Sequence, residues 1–145
     1  MRARRLAQED IMTEPIGALH RYFIWANRMR HHLDEIINRA KISPALDERD
    51  GIETFLYMSY WYGGLYVVVE GWRELDLHDQ EIDGLLDSSN VELLKRYRNG
   101  AFHFQKTYFD DRFLNFMKES GSATWVRTLN LAFGRWFLQD AKAKP

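Results

Sequence analysis

The sequence has no cysteine. A disulfide scaffold, a thiolate zinc site, an iron–sulfur cluster and a cysteine nucleophile are excluded together, and the absence fits a reducing compartment. Proline is scarce as well: Pro44 is the only one between Pro15 and the terminal Pro145. Proline removes a backbone donor and clashes with the preceding helical turn, so long uninterrupted helices are permitted over most of the chain. The longest apolar stretch lies near Leu65 to Val69 and is far too short to span a bilayer. The basic start Met1-Arg-Ala-Arg-Arg is followed by no apolar segment, so no secretory signal is expected. An excess of charge of one sign is missing too, with 20 Lys+Arg against 21 Asp+Glu. A dedicated duplex binder carries a basic footprint that this balance does not provide. These absences point to a soluble, cytoplasmic chain, with no membrane segment and no cofactor.

What is present is globular: 145 residues, 46% hydrophobic and 28% charged, with aromatics at 14%. Residues 1–145 read as a single domain, with 1–13 a frayed or partly helical extension carrying Arg2, Arg4 and Arg5. Glu14 to about Arg39 holds Ile16, Leu19, Phe23, Ala26, Leu33 and Ile37 at spacings of three and four, the stripe of an amphipathic helix. Pro44 breaks it, because the residue before proline is pushed out of α geometry. Asp50 to about Leu75 is apolar on every side, which predicts a helix buried all round, central to a bundle or shared with a second subunit. His78 to Asp87 is acidic and reads as one or two turns capped by Asp79. Ser89-Asn-Val-Glu92 has the spacing of a capping box, opening a helix through Val91, Leu94, Tyr97, Ala101 and Phe104. Asp110 or Asp111 restarts a helix through Phe113, Leu114 and Met117. Ser122 then caps a last helix carrying Trp125, Leu129, Ala132, Phe133 and Trp136. The expected fold is all-α: an antiparallel four-helix, up-and-down bundle with an additional short helix.

One constellation carries chemistry. Lys95-Arg-Tyr-Arg98-Asn99-Gly-Ala-Phe-His103 gathers arginine, an amide and histidine within six residues. If the helix continues, Asn99 and His103 share a face one turn apart, while Arg98 points about 140° away from His103. Gly100 could kink the helix, or a two-fold axis could bring the faces of two chains together. Histidine exchanges protons near neutral pH, and arginine offers a forked, permanently charged donor set to a phosphate gaining charge. Asparagine can orient a phosphate, a ribose hydroxyl or the imidazole.

Arg98-Asn99-x-x-x-His103 resembles the R-(polar)-x(3–5)-H signature of the HEPN superfamily, late in an all-α chain of about this size. The motif covers six residues; the architecture covers most of the chain. The resemblance implies metal-independent endoribonuclease activity through the ribose 2′-hydroxyl, in a homodimer with two motifs facing each other. His103 would be the general base or acid, Arg98 would stabilise the phosphorane, and Asn99 would hold geometry. An acidic residue of an earlier helix would support the arginine. Glu70, the only carboxylate between Glu53 and Glu74, is expected to be buried and paired with Arg98. Lys95 and Arg96 would contact RNA, single-stranded rather than duplex. A role as a toxin or defence protein with an antitoxin partner comes with the family. The alternatives are a non-catalytic HEPN-like module binding RNA, nucleotide or protein, and a purely structural helical dimer in which Glu70–Arg98 is an ion pair.

The other signals read as structure. His31 and Glu35 sit four apart, but no second His-x-x-x-His or Glu-x-x-His pair supplies ligands from a facing helix, so no metal is expected. Gly63-Gly64 marks a close backbone approach to another helix, within the chain or across a dimer. The aromatic run Tyr57 to Tyr66 belongs to core or interface before it belongs to base stacking.

Overall fold

A computed structural model describes residues 14–42 and 48–143. The extension 1–13, with Arg2, Arg4 and Arg5, and the helix break at Pro44 lie outside the described residues. Among the described residues the fold is all-α, with six helices and no strand. None of these helices is long and apolar enough to cross a membrane.

Helix α1 (Pro15–Ile42) opens on proline, whose missing N–H is one that a first turn leaves unpaired anyway. It ends with Arg39 and Lys41 beside the negative end of its dipole. Leu19, Phe23, Ala26, Leu33 and Ile36 form its buried stripe, and Ile37 is only half-buried. Helix α2 (Glu48–Glu74) packs along α1. A Cβ on Gly64 would lie 3.1 Å from the Cβ of Ala26, and one on Gly71 would strike Leu19, so glycine lets the two backbones approach. Pairing 64 with 26 and 71 with 19 makes the two helices run in opposite senses. The expectation of all-round burial fails for α2: Ile52, Leu56 and Tyr60, four residues apart, are each about half exposed. An apolar sequence cannot show which of its faces lacks a neighbour.

Helix α3 (Gln80–Leu86) is capped as expected, the Asp79 carboxylate accepting from the Ile82 N–H at 3.1 Å. The capping box that should open α4 (Asn90–Phe102) does not form. Ser89 already has helical angles, φ −61° and ψ −19°, and makes no side-chain cap bond. Ser88 shapes the entry instead: its Oγ accepts from the Asn90 N–H and its carbonyl from the Val91 N–H. Helix α5 (Asp111–Lys118) is capped by Asp110, which accepts from the Arg112 N–H at 2.9 Å. Phe113 and Phe116 turn inward on α5, whereas Met117 is exposed, which corrects the expected stripe.

Gly121, at φ +80°, makes the left-handed turn into α6 (Ser122–Ala143). Ser122 is not the expected cap. It is buried, and its Oγ donates at 2.7 Å to the Phe116 carbonyl, which also accepts from the Glu119 N–H at 3.3 Å. Trp125, Leu129, Ala132 and Phe133 are buried together with Val126 and Phe137, and Trp136 is half-buried.

The core is aromatic, and several of its polar edges are paired. Trp61 donates to Asn130 Oδ1 at 3.0 Å, Trp72 to Asp83 Oδ1 at 3.1 Å, and Trp125 to the Leu85 carbonyl at 3.0 Å. The Tyr97 and Ser59 hydroxyls share a hydrogen bond at 2.9 Å between α4 and α2. Burial pushes the Tyr62 hydroxyl up to about 12 and that of Tyr97 further in the same direction. These contacts fix α4 against α2 by its inner face and present its other faces to α5 and solvent.

Candidate functional site

Tyr97 is fully buried, so its neighbours Arg98 and Asn99 emerge at the edge of the α4–α2 seam. Arg98 has three partners there. Its Nε donates to Asn99 Oδ1 at 2.9 Å and its Nη1 to Glu70 Oε2 at 3.0 Å. Its guanidinium carbon lies 4.8 Å from the centre of the Tyr66 ring. Burial raises the Tyr66 hydroxyl's pKa and Glu70 adds to this, with Arg98 opposing. Arg98 Nη2 donates to no described residue and reaches solvent. A fork with two arms engaged and one open can donate to an anion without rearranging.

Glu70 pairs with Arg98 as expected, but it is not buried. Its side chain keeps 44% of its exposure against 20% for Arg98. It lies on the solvent side of the seam, so the pair's strength is that of a surface contact.

His103 departs from the expected geometry. Helix α4 ends at Phe102, and His103 is its C-cap with extended angles, φ −117° and ψ 134°. Its N–H still closes the last turn on the Asn99 carbonyl at 3.1 Å, but the side chain has left the helical face it was expected to share with Asn99. The imidazole is exposed and forms no hydrogen bond, ion pair or ring contact with a described residue. It is therefore not the half-buried, backbone-bonded histidine of a structural reading. Phe104, expected to extend the α4 stripe, is 91% exposed. Gly100 does not kink the helix. It is helical and buried, and a Cβ there would come within 3.1–3.2 Å of Phe113 and Arg112, so it admits α5.

Lys95 is half-buried one turn before Arg98 and Asn99, and Arg96 is exposed. At about 100° per residue Arg96 falls some 160° from Arg98, on the other side of α4. The structure thus joins Arg98, Asn99 and Glu70 directly, sets His103 at the end of the same helix, and leaves Arg96 apart.

Two supports were not read from the sequence. Tyr66 lies one turn before Glu70, an i, i+4 relation that would have placed both on the face toward α4. Gln105 donates to the His103 carbonyl at 2.9 Å and accepts from Arg112 Nη1 at 2.6 Å, tying the segment after α4 to α5. Around them lies an exposed aromatic rim. Tyr60 meets Phe102 edge-on with ring centres 5.6 Å apart, and Phe55 contacts Tyr108 and Phe109. Elsewhere, His31 faces Arg30, and His32 stacks on Tyr57 at 5.0 Å. Among the described residues no group of three or more His, Asp or Glu is placed to hold a metal ion.

No family model, curated protein or solved structure matches the chain.

Proposed function

We propose that the chain is a HEPN-type endoribonuclease that binds single-stranded RNA at the end of α4 and cleaves it by a metal-independent route. In this reading α1, α2, α4 and α6 are the four helices of an up-and-down bundle, with α3 and α5 as short additions. His103 takes the proton of a ribose 2′-hydroxyl, and the O2′–P bond forms as the P–O5′ bond breaks. Arg98 Nη2 donates to the phosphorane oxygens, Asn99 and Glu70 hold the guanidinium, and Lys95 adds charge along the strand. A second copy of the chain, facing the first across a two-fold axis, supplies the imidazolium that protonates the leaving 5′-oxygen. The products are a 2′,3′-cyclic phosphate and a 5′-hydroxyl. A cytoplasmic defence or toxin role, held in check by an antitoxin protein, belongs to the same reading and rests on the family resemblance.

One observation carries it. The open arm of a fixed arginine and an unpartnered, exposed imidazole stand at the end of the same helix. Labelled single-stranded RNA incubated with the protein in EDTA tests the mechanism. Cleavage should persist with the chelator and fall about 10²- to 10⁴-fold in His103→Ala. Undiminished cleavage in that variant, or DNA cut as readily as RNA, would overturn it.

The ion pair itself favours a second reading. Glu70 neutralises much of the Arg98 charge, and a formal net charge of −1 gives no field to draw in a polyanion. Arg98 is then a cross-link between α2 and α4 in a binding module or a helical dimer. Under that reading neither protein cuts RNA in the same assay.

A further inference from the structure

Glu70, the partner of Arg98, also lines a cavity of about 310 Å³ between α1 and α2, at the small end of the range for small-molecule sites. Leu19, Val67 and Leu75 give it apolar walls. Tyr22, Glu70 and Glu74 bring the polar groups. The Tyr22 ring is held in place, with the Arg21 guanidinium 5.0 Å from its centre and the Trp25 ring edge-on at 5.8 Å. Glu74 forms no hydrogen bond or ion pair with a described residue, and neither does Glu70 Oε1. The cavity therefore combines aliphatic contact, an aromatic ring and two carboxylates with unused acceptor capacity.

That combination selects a flat, weakly hydrated ring with hydrogen-bond donors along one edge. Guanine presents N1–H and N2–H side by side, which matches a carboxylate accepting in a bidentate manner. Adenine and cytosine offer one amino group next to an acceptor nitrogen, and uracil offers one imino group between two carbonyls that a carboxylate repels. Glu70 is also the residue that fixes Arg98, at 3.0 Å. A base in the cavity thus lies next to the group that would take its phosphate.

We propose that this cavity is a guanine-binding subsite, in which Tyr22 stacks on the base, the Glu74 carboxylate accepts from both its N1–H and N2–H, and the attached phosphate meets Arg98. The inference rests on Arg98 as a phosphate site and extends it to a substrate class: single-stranded RNA with guanosine beside the bound phosphate.

The test is calorimetric titration of the intact protein with 3′-GMP, 3′-AMP, 3′-UMP, spermidine and inorganic phosphate. 3′-GMP should bind at least about 10-fold more tightly than the other two nucleotides, the discrimination expected of a bidentate pair. Glu74→Gln should remove that preference while leaving inorganic phosphate binding unchanged, and Tyr22→Leu should weaken all three nucleotides. Equal affinities for the nucleotides, an unchanged preference in Glu74→Gln, or a site that takes spermidine in place of 3′-GMP would overturn the proposal. The two readings fail separately. A guanine preference without RNA cleavage rejects the nuclease alone, and cleavage without any guanine preference rejects the subsite alone.

Discussion

Arg98 is held by a carboxylate, an amide and an aromatic ring, and only the first two depend on the fork of its guanidinium. Arg98→Lys keeps the charge but cannot engage Glu70 and Asn99 while presenting a third donor arm. Turnover should fall on the order of 10²-fold, the loss typical of one oxyanion donor. The urea midpoint should move little, because an exposed ion pair contributes about 0–1 kcal/mol. A large stability loss with unchanged turnover would instead make Arg98 a structural cross-link. His78 offers a second measurement at this scale. Its ring nitrogens face Asp83 at 3.1 Å and Asp76 at 2.9 Å, and these bonds raise its pKa above the ordinary 6.5. The folded state holds the proton more tightly than the unfolded state. The stabilisation is therefore complete below the unfolded pKa and lost as pH rises through the folded one. NMR titration of the His78 ring should give a midpoint above 6.5, moved down by Asp83→Asn. A midpoint unmoved by that substitution would remove the clasp.

At the level of helices, the α1–α2 contact is sensitive to an added side chain. Gly64 faces both the Cβ of Ala26 and its backbone Cα, the latter 3.5 Å from an added Cβ, so the obstacle cannot rotate away. Gly64→Val should destabilise by about 1–3 kcal/mol, read as a lower urea midpoint, as overpacking does elsewhere. Gly71→Ala should cost less, because it meets only the tip of Leu19. This glycine pair also marks how far the sequence could be read. Helix stripes follow from a period of 3.6, so Leu19 to Leu33, Trp125 to Phe133 and the Asp79 cap were readable residue by residue. Helix ends were less so. Phe102-His103-Phe104 carries no proline or glycine stop, and α4 ends there beside the Gln105–Arg112 link to α5, a tertiary contact. Ser89-x-x-Glu92 has the letters of a capping box, yet the backbone angles at Ser89 already belong to the helix. The Glu70–Arg98 pair could be inferred from a lone acid in an apolar helix, but not the exposure of its acid. That depends on which face of α2 has no neighbour.

Across the whole molecule, several apolar side chains are left uncovered, and one group of them lies near the candidate site. Ile52, Leu56, Tyr60 and Phe102 are each about half exposed, and Phe104 almost fully. Single exposed apolar residues are ordinary, whereas a group of them beside the candidate site is area that a second copy can cover. A homodimer through this face is the arrangement the proposed mechanism requires. Light scattering at micromolar concentration should give twice the mass of 17.3 kDa, and Leu56→Glu with Tyr60→Glu should return the monomer with its helicity intact. A monomeric parent protein would remove the second imidazole and the two-chain site with it. The distribution of the tryptophans has an optical consequence. Trp61, Trp72 and Trp125 are enclosed and hydrogen-bonded, whereas Trp25 is 57% exposed and edge-on to Tyr22, which lines the α1–α2 cavity. Acrylamide should therefore quench a red-shifted minority of the emission first. A ligand entering beside Tyr22 would dim or protect that same component, so the chain carries its own fluorescent gauge of whether the cavity is filled.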